Sequence, residues 1–205
     1  MTAAAFLELS PEAKQISLQG ALRDLPPGDP WIFGYGSLMW NPGFPFRDKQ
    51  PAVVYGFHRA FCVQSFRYRG TPQKPGLVLG LDRGGSCRGF AFHIPRMQAE
   101  ETLSYLWQRE MITGVYAPRF VRVQVLTSTR SYVQALTFIA NPHHPQYMGN
   151  LTMKATAKCI AEACGEVGDC CDYLERTVAH LDQLGIPDGA VHRLFDAVKT
   201  YRTKR

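Results

Sequence analysis

The chain has 205 residues, 45% hydrophobic and 20% charged, which is the balance of a single globular domain with room for a sizeable core. No uncharged apolar run approaches the roughly 18 residues of a membrane span. Met1 to Leu9 carries Glu8 and no Lys or Arg, so it lacks the basic start of a secretory signal and a cytoplasmic protein is expected. The net charge of +6 is spread along the chain apart from a basic tail at Lys199, Arg202, Lys204 and Arg205. With no RNA-binding or helix-turn-helix signature, that charge favours a small anionic substrate over nucleic acid.

The first element is a helix. Ser10-Pro11-Glu12 offers an N-cap, a proline at the first helical position and an acid in the first turn. The helix is expected to run to about Leu25, with Ile16, Leu18, Leu22 and Leu25 on its inner side, until Pro26-Pro27-Gly28-Asp29-Pro30 ends it. Residues 1–30 are read as an extension packed on a main domain over 31–205, because the strong strand signal starts at Trp31. Trp31-Ile32-Phe33 is aromatic and β-branched, hence a strand. It breaks at Gly34-Tyr35-Gly36-Ser37, where glycines permit a tight turn or a close approach to a ligand. Exposed N–H groups there form a candidate nest for a carboxylate or oxyanion. The alternative is an ordinary turn after a buried strand. The glycines do not make a Rossmann fingerprint, since Met39 occupies the third position.

A proline-rich loop, Asn41 to Pro51, comes next. Ala52 to Ser65 reads as a long strand kinked at Gly56, and Arg67 to Gly76 as a polar loop. Leu77 to Asp82 and Cys87 to Ile94 flank Arg83-Gly84-Gly85-Ser86, a hairpin signal. A helix is expected over Gln98 to Met111, then strands at Arg119 to Leu126 and Tyr132 to Ile139 around a polar turn. After a loop over Asn141 to Asn150 the chain is helical: Thr152 to Cys164, Asp169 to Leu184, and Gly189 to about Arg202. Gly165 and Gly185 fall where helix C-caps favour glycine. Strands first and helices last, with one helix between, indicate an α+β fold with a small barrel.

The six cysteines, Cys62, Cys87, Cys159, Cys164, Cys170 and Cys171, contain no C-x-x-C pair and no zinc-ligand spacing. They are expected to be thiols used mostly in packing. His143 and His144 are adjacent in a Pro-rich loop with no further ligand at metal spacing, so they are read as loop residues and no metal is expected. Ser37 has no G-x-S-x-G context and no partners for a hydrolase triad.

Glu110 is the residue at which pattern becomes chemistry. It lies seven residues after Leu103, four after Leu106 and three after Trp107, on one helical face with them. A carboxylate there loses hydration, and the negative end of the helix adds to the effect, so its pKa should rise toward the range of a general acid–base. The alternative is an ion pair with Arg109 or Arg119, which acts in the opposite direction. Tyr116 follows, as a pocket residue or an ordinary strand-start aromatic. Tyr147 lies in the loop after the last strand, within reach of a pocket.

Two runs, Phe33-Gly34-Tyr35-Gly36-Ser37-Leu38-Met39-Trp40 and Gln108-Arg109-Glu110-Met111-Ile112-Thr113-Gly114-Val115-Tyr116, resemble the ChaC-like γ-glutamylcyclotransferase family. Pro75-Gly76, Gly89-Phe90-Ala91 and Asn141-Pro142 to Tyr147 extend the resemblance, which covers about Trp31 to Arg202. It implies a γ-glutamylcyclotransferase-like fold, a small mixed β-barrel with flanking helices. It also implies cleavage of glutathione to 5-oxoproline and Cys-Gly, with no cofactor, metal, nucleic-acid or membrane partner. By position, Tyr35, Gly36, Ser37 and Leu38 would hold the γ-glutamyl group, Glu110 would be the catalytic acid–base, and Tyr116 and Tyr147 would line the pocket. Where relatives carry an asparagine shortly before a Tyr-Leu pair, this chain reads Asp169-Cys170-Cys171-Asp172-Tyr173-Leu174, so no role is carried over there. Two other readings remain: a cyclotransferase for other γ-glutamyl amino acids or amines, and a non-catalytic regulatory or binding module on the same fold.

Overall fold

The computed structural model describes residues 8–127 and 131–204; the start of the chain and the centre of the polar turn expected after Leu126 lie outside the described residues. Five strands form a closed barrel: β1 (Trp31–Gly34), β2 (Asp48–Ser65), β3 (Gly76–His93), β4 (Tyr116–Val125) and β5 (Ser131–Ala140), in the order β1-β3-β2-β4-β5. β1 pairs antiparallel with β3, Trp31 facing His93 and Gly34 facing Phe90. It pairs parallel with β5 through Trp31–Ala135 and Ile32–Leu136, and β4 and β5 pair along their whole length. The helices are α1 (Pro11–Arg23), α2 (Ala99–Glu110), α3 (Met153–Glu162), α4 (Cys170–Gln183) and α5 (Gly189–Thr203). None is long and apolar enough to cross a membrane.

The chain divides into two compact units, Met1–His58 with Arg83–Asn141, and Arg59–Asp82 with Pro142–Arg205. The first is organised around one apolar cluster. Ile32 and Leu38 enter it from β1 and the turn after it, Phe92 and Ile94 from the end of β3, Leu103, Leu106, Trp107 and Met111 from α2, and Leu136 and Phe138 from β5. α1 adds Leu18 and Ala21. Its N-cap is Ser10, whose side chain accepts the Ala13 N–H, and the helix stops at Arg23 rather than Leu25. Ile16, expected on the inner side, is exposed; Leu18 and Ala21 define a narrower buried stripe. In the second unit α3, α4 and α5 pack on one another. Arg59, buried on β2, pairs with Asp188 at 2.5 Å, and the same carboxylate caps α5 by accepting the Val191 N–H. Such a buried pair is costly to break from one side.

Two sequence expectations are corrected. The hairpin at Arg83–Ser86 does not form, and β3 runs unbroken from Gly76 to His93. Gly84 and Gly85 have φ of 96° and 70°, the left-handed region that a hairpin would also need. Here those residues lie inside the strand, where His58 Nδ1 contacts Gly84 O at 3.1 Å. Gly56, the expected kink in β2, has φ 83°. Gly165 is not a helix C-cap; α3 ends at Glu162, and Gly165 belongs to the short strand β6 (Cys164–Gly165) paired with β7 (Gly168–Asp169). A side chain at 165 would lie 2.5 Å from Arg67 O, so the glycine serves a close backbone approach. Gly185, by contrast, follows α4 with φ 63°, as a C′ glycine does.

Candidate active site

The first unit gathers the turn after β1 and the end of α2. Beyond Gly34 the chain enters a short 3-10 turn, Ser37–Met39, whose hydrogen bonds begin with Met39 N–H to Gly36 O at 2.9 Å. The N–H groups of Ser37 and Leu38 open this turn and so have no acceptor within it. Close packing fixes the turn from below. A side chain on Gly34 would come 3.0 Å from Leu38 Cβ and 3.2 Å from Phe92 Cε2, and one on Gly89 would overlap Gly34 O. Tyr35 is buried, and its hydroxyl donates to Phe138 O at 2.9 Å. Its ring therefore anchors the turn to β5. Thr137 Oγ1, donating to Phe33 O at 3.0 Å, adds a second tie.

Glu110 is the last residue of α2. Leu103, Leu106 and Trp107 on the same face are buried, as the helical spacing requires, and the Glu110 side chain retains 18% exposure. Burial pushes its carboxyl above the ordinary range, and the Arg109 guanidinium opposes that push. The ion pair is Arg109 Nε to Glu110 Oε1 at 3.2 Å. Of the two arginines weighed from the sequence, Arg109 is the partner, yet the net direction stays upward because desolvation outweighs it.

Arg109 also joins the two halves of the site. Its Nη2 donates to Ser37 Oγ at 2.7 Å, and its Nη1 donates to Asn41 O at 2.7 Å and to the Tyr105 hydroxyl at 3.1 Å. The Ser37 hydroxyl thus serves as an acceptor from a cation, an arrangement that positions it and does not activate it as a nucleophile. Lys49, at the start of β2, completes the frame. Its Nζ donates to Met39 O at 2.7 Å and sits 4.2 Å from the Phe90 ring centre, and burial lowers its pKa. Tyr116 begins β4 and packs, half-buried, against the core cluster. Neither Arg109 as a tie to Ser37 nor Lys49 was legible from spacing: each contact joins residues distant in sequence or hidden in a loop of mixed composition.

Tyr147 lies in the second unit. It bridges to Val63, and its hydroxyl donates to Asp82, 2.8 Å from Oδ2 and 3.0 Å from Oδ1. A side chain on Gly149 would overlap that hydroxyl. Cys62, in the same unit, is pushed up to about 12 by burial and by the Asp82 charge. Cys170 exchanges hydrogen bonds with the Leu77 backbone and is likewise pushed up to about 12 by burial. These thiols are packing residues. His144 Nδ1 accepts the Gln146 N–H at 3.2 Å, a loop contact, and among the described residues no group of three or more His, Cys, Asp or Glu could hold a metal ion.

A five-stranded closed barrel carrying a glycine turn beside a helix-end acid is a γ-glutamylcyclotransferase-like fold. A crystal structure of a selenomethionine-labelled γ-glutamyl cyclotransferase specific to glutathione, from yeast, superposes with a TM-score of 0.77 at 25% identity, over 87% of this chain and 99% of that one. The chain belongs to the ChaC-like protein family, whose model matches residues 30–201. It is 39% identical to the glutathione-specific γ-glutamylcyclotransferase of Escherichia coli K12, over 93% of this chain and 82% of that protein. It is 33% identical to the human glutathione-specific γ-glutamylcyclotransferase 1, over 84% and 81%.

Proposed function

We propose that the chain is a γ-glutamylcyclotransferase that cleaves glutathione to 5-oxoproline and Cys-Gly, with Glu110 as the acid–base. Relatives named for this activity, at 33–39% identity over most of the chain, support the reaction. The observation that carries the site is the single guanidinium shared by Ser37 of the turn and Glu110 of α2, which keeps an N–H-bearing turn and a carboxyl of raised pKa close together.

The chemistry then follows from these groups. The substrate's own α-amine is the nucleophile, so the protein needs none. Glu110, as carboxylate, takes a proton from the α-ammonium, and the freed amine attacks the γ-carbonyl carbon to close a five-membered lactam. The turn over Tyr35, Gly36, Ser37 and Leu38 holds the γ-glutamyl group folded for that attack, a proximity effect. The opening N–H groups of the turn receive the oxyanion. Glu110, now protonated, passes its proton to the departing amine of Cys-Gly as the C–N bond breaks; the carboxylate then takes the second proton from the ring nitrogen, leaving the neutral lactam, and hands it to the freed amine, which departs as an ammonium. A carboxyl lifted by burial suits these transfers near neutral pH. Tyr116 is assigned to the pocket wall on its half-buried place beside the core cluster. Of the extension read over residues 1–30, the described part, residues 8–30, is assigned to packing on the catalytic domain, a reading supported by Leu18 and Ala21 in that cluster. A cytoplasmic location fits cysteines kept as thiols.

Incubating the chain with glutathione and measuring both 5-oxoproline and Cys-Gly tests this reading, with γ-glutamyl-alanine alongside to separate substrate classes. Equimolar products from glutathione support it. No 5-oxoproline from any γ-glutamyl compound points to a binding module instead.

A further inference from the structure

The proposed reaction needs Glu110 and the turn held in register. They come from segments more than seventy residues apart. Arg109 supplies the link. Its guanidinium offers five N–H donors in a rigid fork, and they are spent on four directions: Ser37 Oγ, the Asn41 and Pro42 carbonyls, the Tyr105 hydroxyl, and Glu110 Oε1. Tyr105 is one helical turn before Arg109, so that contact braces the side chain against its own helix. Gly43 makes room for the same hydroxyl, because a side chain there would overlap it. Arg109 itself is only 21% exposed.

We propose that Arg109 is a positioning residue for the proposed reaction: its guanidinium locks the Ser37 turn and the Asn41–Pro42 segment to one oxygen of Glu110 and leaves the other oxygen to carry the proton. The inference rests on the reading of Glu110 as acid–base and deepens it. Lysine does not substitute, because a single ammonium cannot reach several acceptors in fixed directions as a planar fork does. Among the described residues, Arg109 is the charged group that acts on Glu110, and Tyr105 is the other titratable side chain on the same guanidinium. Removal of Arg109 therefore takes away the one cation that favours the carboxylate form, while burial remains.

The test uses the full chain in three forms: wild type, Arg109→Lys and Arg109→Met. Two readouts are taken, the pH profile of kcat/KM for 5-oxoproline release and a carbon-13 NMR titration of the Glu110 carboxyl. Arg109→Met should move the titration and the acid limb of the profile upward together, by about one pH unit. Arg109→Lys keeps the charge, so the limb should stay within about half a unit, while kcat falls at least tenfold from the loosened turn. A merely structural arginine would lower activity in both without moving the titration, and that result overturns the proposal. So does an Arg109→Lys variant with wild-type kcat, which decides the matter even if Arg109→Met does not fold. A wild-type chain that releases no 5-oxoproline contradicts the reaction instead, and the titration then still decides whether Arg109 governs Glu110.

Discussion

Replacing Gly34 by alanine isolates the role of close packing beneath the turn. The backbone of Gly34 is not left-handed, so alanine meets no dihedral penalty there. The added Cβ would instead lie 3.0 Å from Leu38 Cβ, 3.2 Å from Phe92 Cε2 and 3.5 Å from the Leu38 carbonyl carbon. Carbon pairs rest at about 3.5–4.0 Å, so Leu38 must retreat by roughly half an ångström. Phe92 is fully buried and offers no room, and Leu38 cannot shift without carrying the Ser37–Met39 turn. Overpacking of this kind costs about 1–3 kcal/mol, which for a chain of this length lowers Tm by roughly 2–10 °C. The loss of activity should exceed what that fall explains. An ångström of misplacement can cost on the order of a hundredfold, so half an ångström predicts about a tenfold lower kcat/KM at a temperature where the variant is folded. Gly28→Ala is the control: φ there is 83° and nothing lies within 4 Å of the added carbon, so it should cost about 1 kcal/mol of backbone strain and leave kcat/KM unchanged. Calorimetry and a 5-oxoproline assay read both. Wild-type kcat/KM in Gly34→Ala would refute the claim that the turn's position matters.

Other expectations concern single contacts. Tyr35→Phe removes a buried hydroxyl from Phe138 O and should cost about 1–3 kcal/mol by urea unfolding, because the carbonyl loses its donor; an unchanged midpoint would show that the ring alone anchors the turn. His192 has a raised pKa, chiefly from its bond to the Asp188 backbone and next from Asp182. Its contribution to stability is then present in full below the unfolded histidine pKa and is lost as pH rises through the folded value. His192→Ala should flatten that part of the stability profile between about pH 6 and 8, and an identical slope in the variant would exclude the contact as its source.

Much of the barrel was legible because its strands obey local rules. Trp31–Gly34, β4 and β5 announce themselves by aromatic and β-branched content, and α2 by the spacing of Leu103, Leu106 and Trp107. The closure of the barrel by a parallel β1–β5 pair was not legible, since strand pairing is decided by partners far away in sequence. Arg83–Ser86 misled for a physical reason: two left-handed glycines serve a hairpin and an irregular long strand equally well. The candidate site divides the same way. Helical periodicity placed Glu110 on an apolar face, and it left the choice between Arg109 and Arg119 open. The structure shows both effects on Glu110 at once, burial and the Arg109 pair, with burial the larger.

The central claim is that Glu110 carries the proton in both directions, and Glu110→Gln tests it most directly. The amide is nearly isosteric, and the Arg109 guanidinium keeps its acceptors at Ser37, Asn41 and Tyr105, so the fold should persist. With wild type and variant matched by circular dichroism, 5-oxoproline release from glutathione should fall by about 10²–10⁴-fold in Glu110→Gln. A folded variant that keeps most of the wild-type rate would contradict the account.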